Sequence, residues 1–99
     1  MLTSKQKSYL RSLANGMHPT IQVGKAGISE GLLDTVKNAL EARELVKITI
    51  LQNCSADQES LAEEIAKASD SEVVQKIGRI LILYKKSENI ENQKISSTL

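Results

Sequence analysis

The sequence is short of aromatic residues and of cysteine, and each shortage narrows what the protein can be. Tyr9 and Tyr84 are its only aromatic residues, so the core must be built from leucine, isoleucine and valine. Proteins that hold single-stranded nucleic acid by stacking need several exposed rings, which two tyrosines do not supply. Cys54 is the only cysteine, which excludes an intramolecular disulfide and favours a reducing compartment.

Long apolar runs are also missing. The longest aliphatic run, 80–83, is far too short to cross a bilayer, and no apolar stretch of the kind found in signal peptides follows the first residues. We therefore expect a cytoplasmic protein without membrane contacts, and we take it to be a monomer. With 99 residues, 40% of them hydrophobic, the chain has room for one modest core.

Acidic residues are absent from the first part of the chain. Residues 1–29 carry four basic side chains and no acid, residues 30–72 carry four bases and ten acids, and residues 73–99 carry five bases and two acids. If the fold brings the two ends together, one face is basic and the opposite face acidic. A basic face is typical of proteins that bind a polyanion, although ordinary solvated charge explains the pattern equally well.

The spacing of apolar residues predicts the element order α-β-α-β-α-β-β. We expect helices at 4–14, at 30–42 and from about 56 onward, and strands at 20–23, 45–51, 72–77 and 80–85. The expected N-caps are Thr3, Ser29 and Ser55, and Gln6 and Gln58 complete capping boxes with the first and the last. Two β-α-β units imply parallel pairs and a final hairpin adds an antiparallel one, so the fold class is α/β with a mixed four-stranded sheet.

The final hairpin allows a prediction of register. Its two-residue turn, 78–79, has glycine first, as hairpin turns prefer. The register that follows places Val73 opposite Tyr84 and Glu72 opposite Lys85, which is a favourable pair of opposite charges. The second strand of the hairpin is apolar on both faces, so we expect it in the middle of the sheet with helices on both sides.

The third helix and the end of the chain have contrasting patterns. The helix is predicted to bury Leu61, Ala62, Ile65, Ala66 and Ala68, and to leave Glu59, Glu63, Glu64 and Lys67 in solvent. After residue 86 the pattern becomes uniformly polar. We therefore expect one domain at 1–86 and a flexible tail at 87–99.

The sequence offers little material for catalysis. His18 and Cys54 lie in predicted loops without a neighbouring partner that would form a nucleophile–base pair, and together they cannot make a structural zinc site without carboxylates. The Gly-Lys pair at 24–25 lacks the glycine spacing and the Lys-Ser/Thr of a nucleotide-binding loop. We predict that the protein is not an enzyme and needs no metal or cofactor.

The segment Gly24-Lys25-Ala26-Gly27 is the strongest candidate for a functional site. Its two glycines allow the backbone to approach another backbone closely, the helix that follows offers its N-terminus to phosphate, and Lys25 adds a full charge. KH domains clamp nucleic-acid backbone with a loop of this GxxG type. A tight strand-to-helix turn accounts for the spacing equally well, so both interpretations stay open.

Three separated segments resemble the CRM-domain family, named for chloroplast RNA splicing and ribosome maturation. IQVGKAGIS at 21–29 resembles its VGKxGLT segment, VQKIGRILILYK at 74–85 resembles its IGxxLVLYR signature, and LEARELVKI at 40–48 matches the stretch that joins the second helix to the second strand. Over about residues 1–86 the chain is similar to the stand-alone bacterial members, the YhbY-like RNA-binding proteins. Asn15 is a departure, since many members have histidine there.

The resemblance implies a fold, a function and a set of site residues. The implied fold is similar to the C-terminal domain of the third bacterial initiation factor. The implied function is RNA binding, with precursor ribosomal RNA of the large subunit and the pre-ribosomal particle as partners and ribosome assembly as the purpose. We add two residues near the hairpin to those that the family's loop and first helix imply. The expected RNA-binding residues are Gly24, Lys25, Ala26, Gly27, Lys5, Lys7, Arg11, Arg79 and Lys85.

A function of another class stays open beside this one. The acidic side of the third helix, with Glu59, Glu63 and Glu64, is then the surface that binds another protein. In that case the protein is an interaction module, and the segment 24–27 is only a turn.

Overall fold

The computed structural model describes residues 2–24, 27–51 and 57–99. The described elements are α1 (Ser4–Asn15), β1 (Ile21–Val23), α2 (Glu30–Arg43), β2 (Leu45–Ile50), α3 (Gln58–Ala68), β3 (Glu72–Ile77) and β4 (Ile80–Tyr84). Two short 3₁₀ turns follow, at Ile90–Asn92 and Ser96–Thr98. The predicted order of helices and strands is confirmed.

The four strands form one sheet in the order β1-β2-β4-β3. β1 and β2 are parallel, while β4 is antiparallel to both of its neighbours, β2 and β3. β4 therefore lies inside the sheet, as its two apolar faces predict. The mixed four-stranded sheet of the predicted fold class is confirmed.

Helices cover both faces of this sheet. The larger core lies under α2 and α3, where Val36, Leu40 and Ile65 pack on strand residues such as Ile48. The smaller core lies under α1, and its buried members are Leu10, Ala14, Leu45, Val74, Ile82 and Tyr84. β4 contributes side chains to both cores, which is why almost all of it is apolar.

Two of the three predicted helix starts are confirmed. The Thr3 hydroxyl accepts the Gln6 N–H at 3.1 Å while the Gln6 side chain accepts the Thr3 N–H at 2.9 Å, a complete capping box. The Ser29 hydroxyl accepts the Leu32 N–H at 3.1 Å. These caps depend only on residues three positions apart, so they can be read from sequence.

The prediction for α3 was wrong in two details. The helix begins at Gln58, and its cap is Asp57, whose carboxylate accepts the Glu59 N–H at 3.3 Å. The predicted cap Ser55 lies outside the described residues. Ala68 is exposed instead of buried, because the inward position after Ala66 is taken by Ser69, whose hydroxyl donates to the Ile65 carbonyl at 2.6 Å.

The hairpin register is as predicted near the turn and wrong farther from it. Gln75 lies opposite Ile82 as expected, but Val73 lies opposite Leu83 and Glu72 opposite Tyr84. The cause is a bulge at Val74, which has no partner of its own on β4 and is buried in the core under α1. The predicted Glu72–Lys85 pair is therefore displaced by one residue.

The C-terminal ends of β1 and β2 and the turn that precedes β4 lie at the same end of the sheet. The Leu51 N–H donates to the Val23 carbonyl at 2.8 Å, and the Ile50 N–H donates to the Arg79 carbonyl at 2.7 Å. The segment after β1 and the β3–β4 turn therefore lie on the same side of the molecule. We call this side, with Gly24, Gly27 and Arg79, the loop edge.

Residues 87–99 lie against the C-terminal end of α2 and against α1. The Glu41 carboxylate accepts the Ser87 hydroxyl at 2.7 Å and the Glu88 N–H at 3.0 Å. At the other end, the Tyr9 and Thr98 hydroxyls are 3.1 Å apart. The flexibility of this segment stays a prediction. These contacts define where the segment packs on the domain.

Candidate nucleic-acid interface

The segment at Gly24–Gly27 is a tight turn with one open side. The Gly27 N–H donates to the Gly24 carbonyl at 2.9 Å, and Gly27 has a φ of +67°, in the left-handed region that favours glycine. A Cβ added at Gly27 would meet nothing within 4 Å. The hydrogen bond between Gly27 and Gly24 is that of a tight turn, and the space beside the Gly27 Cα is open to another molecule. Lys25 and Ala26 lie outside the described residues.

The N-terminus of α2 lies directly behind this turn. Its free N–H groups carry a partial positive charge, of which the Ser29 hydroxyl satisfies one through Leu32. Glu30 places a carboxylate in the first turn of the helix, which stabilises the helix but weakens the positive potential there. The basic side chains of the loop edge must offset that charge if a phosphate is to bind.

Arg79 is one of the predicted RNA-binding residues, and it lies at the loop edge within the described part of the chain. It is exposed at the tip of the β3–β4 hairpin, where Gly78 adopts a φ of +55°. Its backbone is hydrogen-bonded to the end of β2. The structure therefore brings Arg79 to the same edge as Gly24 and Gly27.

Lys85 lies at the opposite edge, together with the start of α1. Lys85 and Lys86 line one shallow cleft with Gln6 and Glu72, and the Lys7 ammonium lies 3.8 Å from the Glu72 carboxylate. We call this region, with Lys7, Lys85 and Lys86, the helix edge. Its lysines are separated from Arg79 by the full length of β4, roughly 20 Å.

The other predicted residues of α1 are exposed. Lys5 and Arg11 have no described partner and point to solvent. α1 carries no acidic side chain in its first turn or elsewhere. Among the described residues, the predicted basic side chains thus lie in two places: Arg79 at the loop edge, and those of α1 with Lys85 at the helix edge.

Two further lysines escaped the sequence analysis. Lys86 lines the same cleft as Lys85. The sequence feature that could have identified it is its position next to Lys85. Lys47 instead faces inward from β2, where its ammonium donates to the carbonyls of Ala14 at 3.1 Å and Met17 at 3.2 Å. The Ala14 carbonyl belongs to the negative end of α1 and the Met17 carbonyl to the segment that follows it, so Lys47 serves the fold and is withdrawn from any ligand.

The charge segregation seen in the sequence is present in the fold. α1, free of acids, covers one face of the sheet, while α3, with Glu59, Glu63 and Glu64 exposed, covers the other. The first face attracts a polyanion, while phosphate groups are disfavoured next to the carboxylates of α3. The acidic side of α3 stays available to the alternative function.

Within residues 2–24, 27–51 and 57–99, no three His, Cys, Asp or Glu side chains are placed to hold a metal ion. In the same described part of the chain, no helix has the length and apolarity needed to span a membrane. His18 is exposed in the segment between α1 and β1, and Cys54 lies outside the described residues.

Comparison with known proteins assigns this arrangement to a family. The model of the CRS1 / YhbY (CRM) domain matches residues 2–85. The chain belongs to the CRM-domain family. The family predicted from the three short segments is confirmed, and the match spans α1 and all four strands of the CRM domain.

Several relatives of this CRM domain carry names that mention RNA. The "Probable RNA-binding protein YqeI" of Bacillus subtilis is 47% identical over 95 residues, which cover 96% of this chain and 97% of that protein. An "RNA-binding protein" of Haemophilus influenzae is 34% identical and covers 93% of each chain. The archaeal "Probable RNA-binding protein MJ0652" of Methanocaldococcus jannaschii is 36% identical over 88% of this chain and 66% of its own length.

A solved structure has the same fold. The solution structure of protein SAV1595 from Staphylococcus aureus matches with a TM-score of 0.77 and 44% sequence identity. The match covers 95% of this chain and 98% of that one. The structural match therefore includes residues of this chain beyond 85, where the match to the family model ends.

Proposed function

We propose that this protein binds RNA, that its RNA is precursor ribosomal RNA of the large subunit, and that it assists assembly of that subunit in the cytoplasm. The observation that carries the proposal is membership of the CRM family across residues 2–85, since relatives covering almost the whole chain are named for RNA binding. The large-subunit precursor as the specific RNA rests on the resemblance to YhbY-like proteins.

In this proposal, phosphate contacts supply most of the affinity. The Gly24–Gly27 turn lets an RNA backbone approach the N-terminus of α2, and Lys25 and Arg79 neutralise its charge. Lys5, Lys7, Arg11 and Lys85 hold a second stretch of backbone at the helix edge. Because phosphate contacts carry no sequence information, the RNA is recognised chiefly by its shape.

Crosslinking in cells tests the partner directly. RNA crosslinked to the protein by ultraviolet light is purified and sequenced, with an uncrosslinked sample as the control. The proposal expects reads from precursor large-subunit RNA, and co-sedimentation of the protein with large-subunit precursor particles. Enrichment of messenger or transfer RNA instead would overturn the ribosomal part and leave RNA binding intact.

The alternative function is separated by nuclease treatment. If the acidic side of α3 binds a basic protein, partners pulled down with this chain stay bound after RNase digestion. If RNA holds the complex together, they are lost. Because Glu59 and Glu63 lie on the face opposite α1, replacing these two with glutamine is expected to affect only the first kind of partner.

A further inference from the structure

Two apolar side chains, one on α2 and one on α3, are left outside both cores. Leu33 is half-buried and joins neither core cluster. Ala68, predicted to be buried, is exposed. Apolar surface that the fold does not use is available to something else.

These two side chains line one groove together with Ile28. The groove has a volume of roughly 520 Å³ and runs between the start of α2 and the end of α3. Glu64 and Lys67 form its polar rim. Neither of their side chains makes a hydrogen bond or ion pair with another residue in the described ranges. The groove therefore combines an aliphatic floor with one free acceptor and one free donor.

The groove lies next to the part of the loop edge that contains Gly27. Ile28, which forms part of its floor, directly follows Gly27 in the chain. A nucleotide whose phosphate lies against the Gly27 turn has its base within reach of this floor. We propose that the groove holds one unpaired nucleobase bearing an exocyclic amino group, an assignment that rests on the proposed RNA binding.

The groove chemistry fits a base better than it fits a phosphate or an aromatic stack. Glu64 repels phosphate but accepts a hydrogen bond from an amino group such as cytosine N4. Stacking is not offered by the aromatic residues, because Tyr84 is buried and Tyr9 lies on α1, on the opposite face of the sheet. The groove can therefore recognise a base in two ways. Its aliphatic side chains contact the flat face of the base, and the Glu64 carboxylate contacts the edge of the base.

Two RNA octamers test the amino-group preference. Oligocytidine and oligouridine have the same number of phosphates and bases of similar size, but only cytosine carries an amino group. At fixed salt, the wild-type protein is expected to bind oligocytidine at least about fivefold more tightly. Glu64→Ala is expected to abolish this ratio, while Glu63→Ala, one position away and outside the groove, is expected to keep it.

The aliphatic floor is tested by Leu33→Ser. Because Leu33 is outside the core, the variant is expected to unfold at nearly the wild-type temperature and to bind both octamers several-fold more weakly. Ile90→Ser, at an 82% exposed apolar position far from the groove, serves as the matched control and is expected to bind as wild type does.

The outcomes separate this inference from the proposed function. Salt-dependent binding of both octamers with no preference, or with a preference that survives Glu64→Ala, overturns the groove assignment and leaves RNA binding standing. Absence of RNA binding by the wild type overturns both. If Leu33→Ser loses an RNase-resistant protein partner but binds the octamers normally, the groove is a protein site and the assignment is wrong.

Discussion

At the scale of single residues, Glu44 combines a positive φ with a buried carboxylate. It follows the end of α2 with a φ of +67°, a conformation that favours glycine. Its carboxylate is fully buried and lies at the negative end of the helix. Three backbone N–H groups offset these costs, from Ser87 at 2.8 Å, Ile95 at 3.1 Å and Ser96 at 2.8 Å.

The substitution Glu44→Gln tests how much these bonds stabilise the fold. Glutamine keeps the size of the side chain but loses the negative charge, so three charge-assisted bonds become weaker. We expect the free energy of unfolding to fall by about 1–3 kcal/mol in urea titrations. Glu63→Gln on the exposed side of α3 is the control, and an equally small effect of both substitutions would show that the buried bonds contribute little.

Gly27 allows a matched test of the proposed phosphate site. Asparagine and aspartate tolerate its positive φ about equally well, so Gly27→Asn and Gly27→Asp are expected to have similar stability. Only aspartate adds a charge that repels phosphate. We expect Gly27→Asp to bind a transcript of precursor large-subunit RNA roughly tenfold more weakly than Gly27→Asn does, a difference of about 1.4 kcal/mol. Equal affinities would contradict a phosphate at the turn.

At the scale of secondary-structure elements, α1 is attached to the sheet by a side chain of another element. α1 has no basic residue in its last turn, and Lys47 of β2 supplies the missing cation through its two bonds to the Ala14 and Met17 carbonyls. This contact fixes the helix end that leads into β1. It thereby helps to hold the basic side of α1 in place.

Lys47→Met removes the ammonium and keeps most of the apolar stem. We expect a loss of about 1–2 kcal/mol in the free energy of unfolding, measured by thermal or urea denaturation. Lys37→Met, at an exposed position on α2, is expected to stay within about 0.5 kcal/mol of wild type. A loss no larger than that of the control would mean that α1 does not depend on this cation.

Structural features that are determined by neighbouring residues could be predicted from sequence. Features that are determined by tertiary packing could not. The Thr3 and Ser29 caps and the β3–β4 turn depend on neighbouring residues and were correct. The bulge at Val74 depends on what α1 packs against, and no pattern within β3 itself indicates it. For the candidate interface, the Gly27 turn was readable, whereas the separation of Arg79 from Lys85 followed from the length of β4 and was overlooked.

At the scale of the whole molecule, the two basic groups predict a distinct salt dependence. Each phosphate contact lowers the logarithm of affinity by about 0.7–0.9 per tenfold rise in salt concentration. We expect Arg79→Gln and Lys85→Gln each to reduce this slope by about one contact, in titrations from low to physiological salt. Lys37→Gln on the other face should leave it unchanged, and a flat dependence in the wild type would exclude phosphate-dominated binding.

The attachment of residues 87–99 predicts the effect of acid on stability. The Ser87 hydroxyl and the Glu88 N–H hold the pKa of Glu41 below its usual value of 4.5. Burial pushes the pKa of Glu44 up, but the hydrogen bonds from Ser96, Ser87 and Ile95 outweigh it, so that this pKa is also lowered. Their contribution is therefore complete above about pH 4.5 and is lost as the pH falls through the lowered values.

Unfolding measured from pH 3 to pH 7 checks this direction. The wild-type free energy of unfolding is expected to be flat near neutrality and to decline below about pH 4.5. The double variant Glu41→Gln/Glu44→Gln is expected to be less stable at pH 7 and to show a shallower decline in acid. Parallel curves for the two proteins would mean that other carboxylates cause the acid sensitivity.

The bulge in β3 affects whether two molecules of this protein can pair through their outer strands. β1 and β3 form the open margins of the sheet, and an open margin can recruit a strand from a second molecule and start aggregation. β1 offers only three residues, and the irregularity at Val74 interrupts the repeat of donors and acceptors along β3. Both margins are thus poor templates for strand pairing between two molecules.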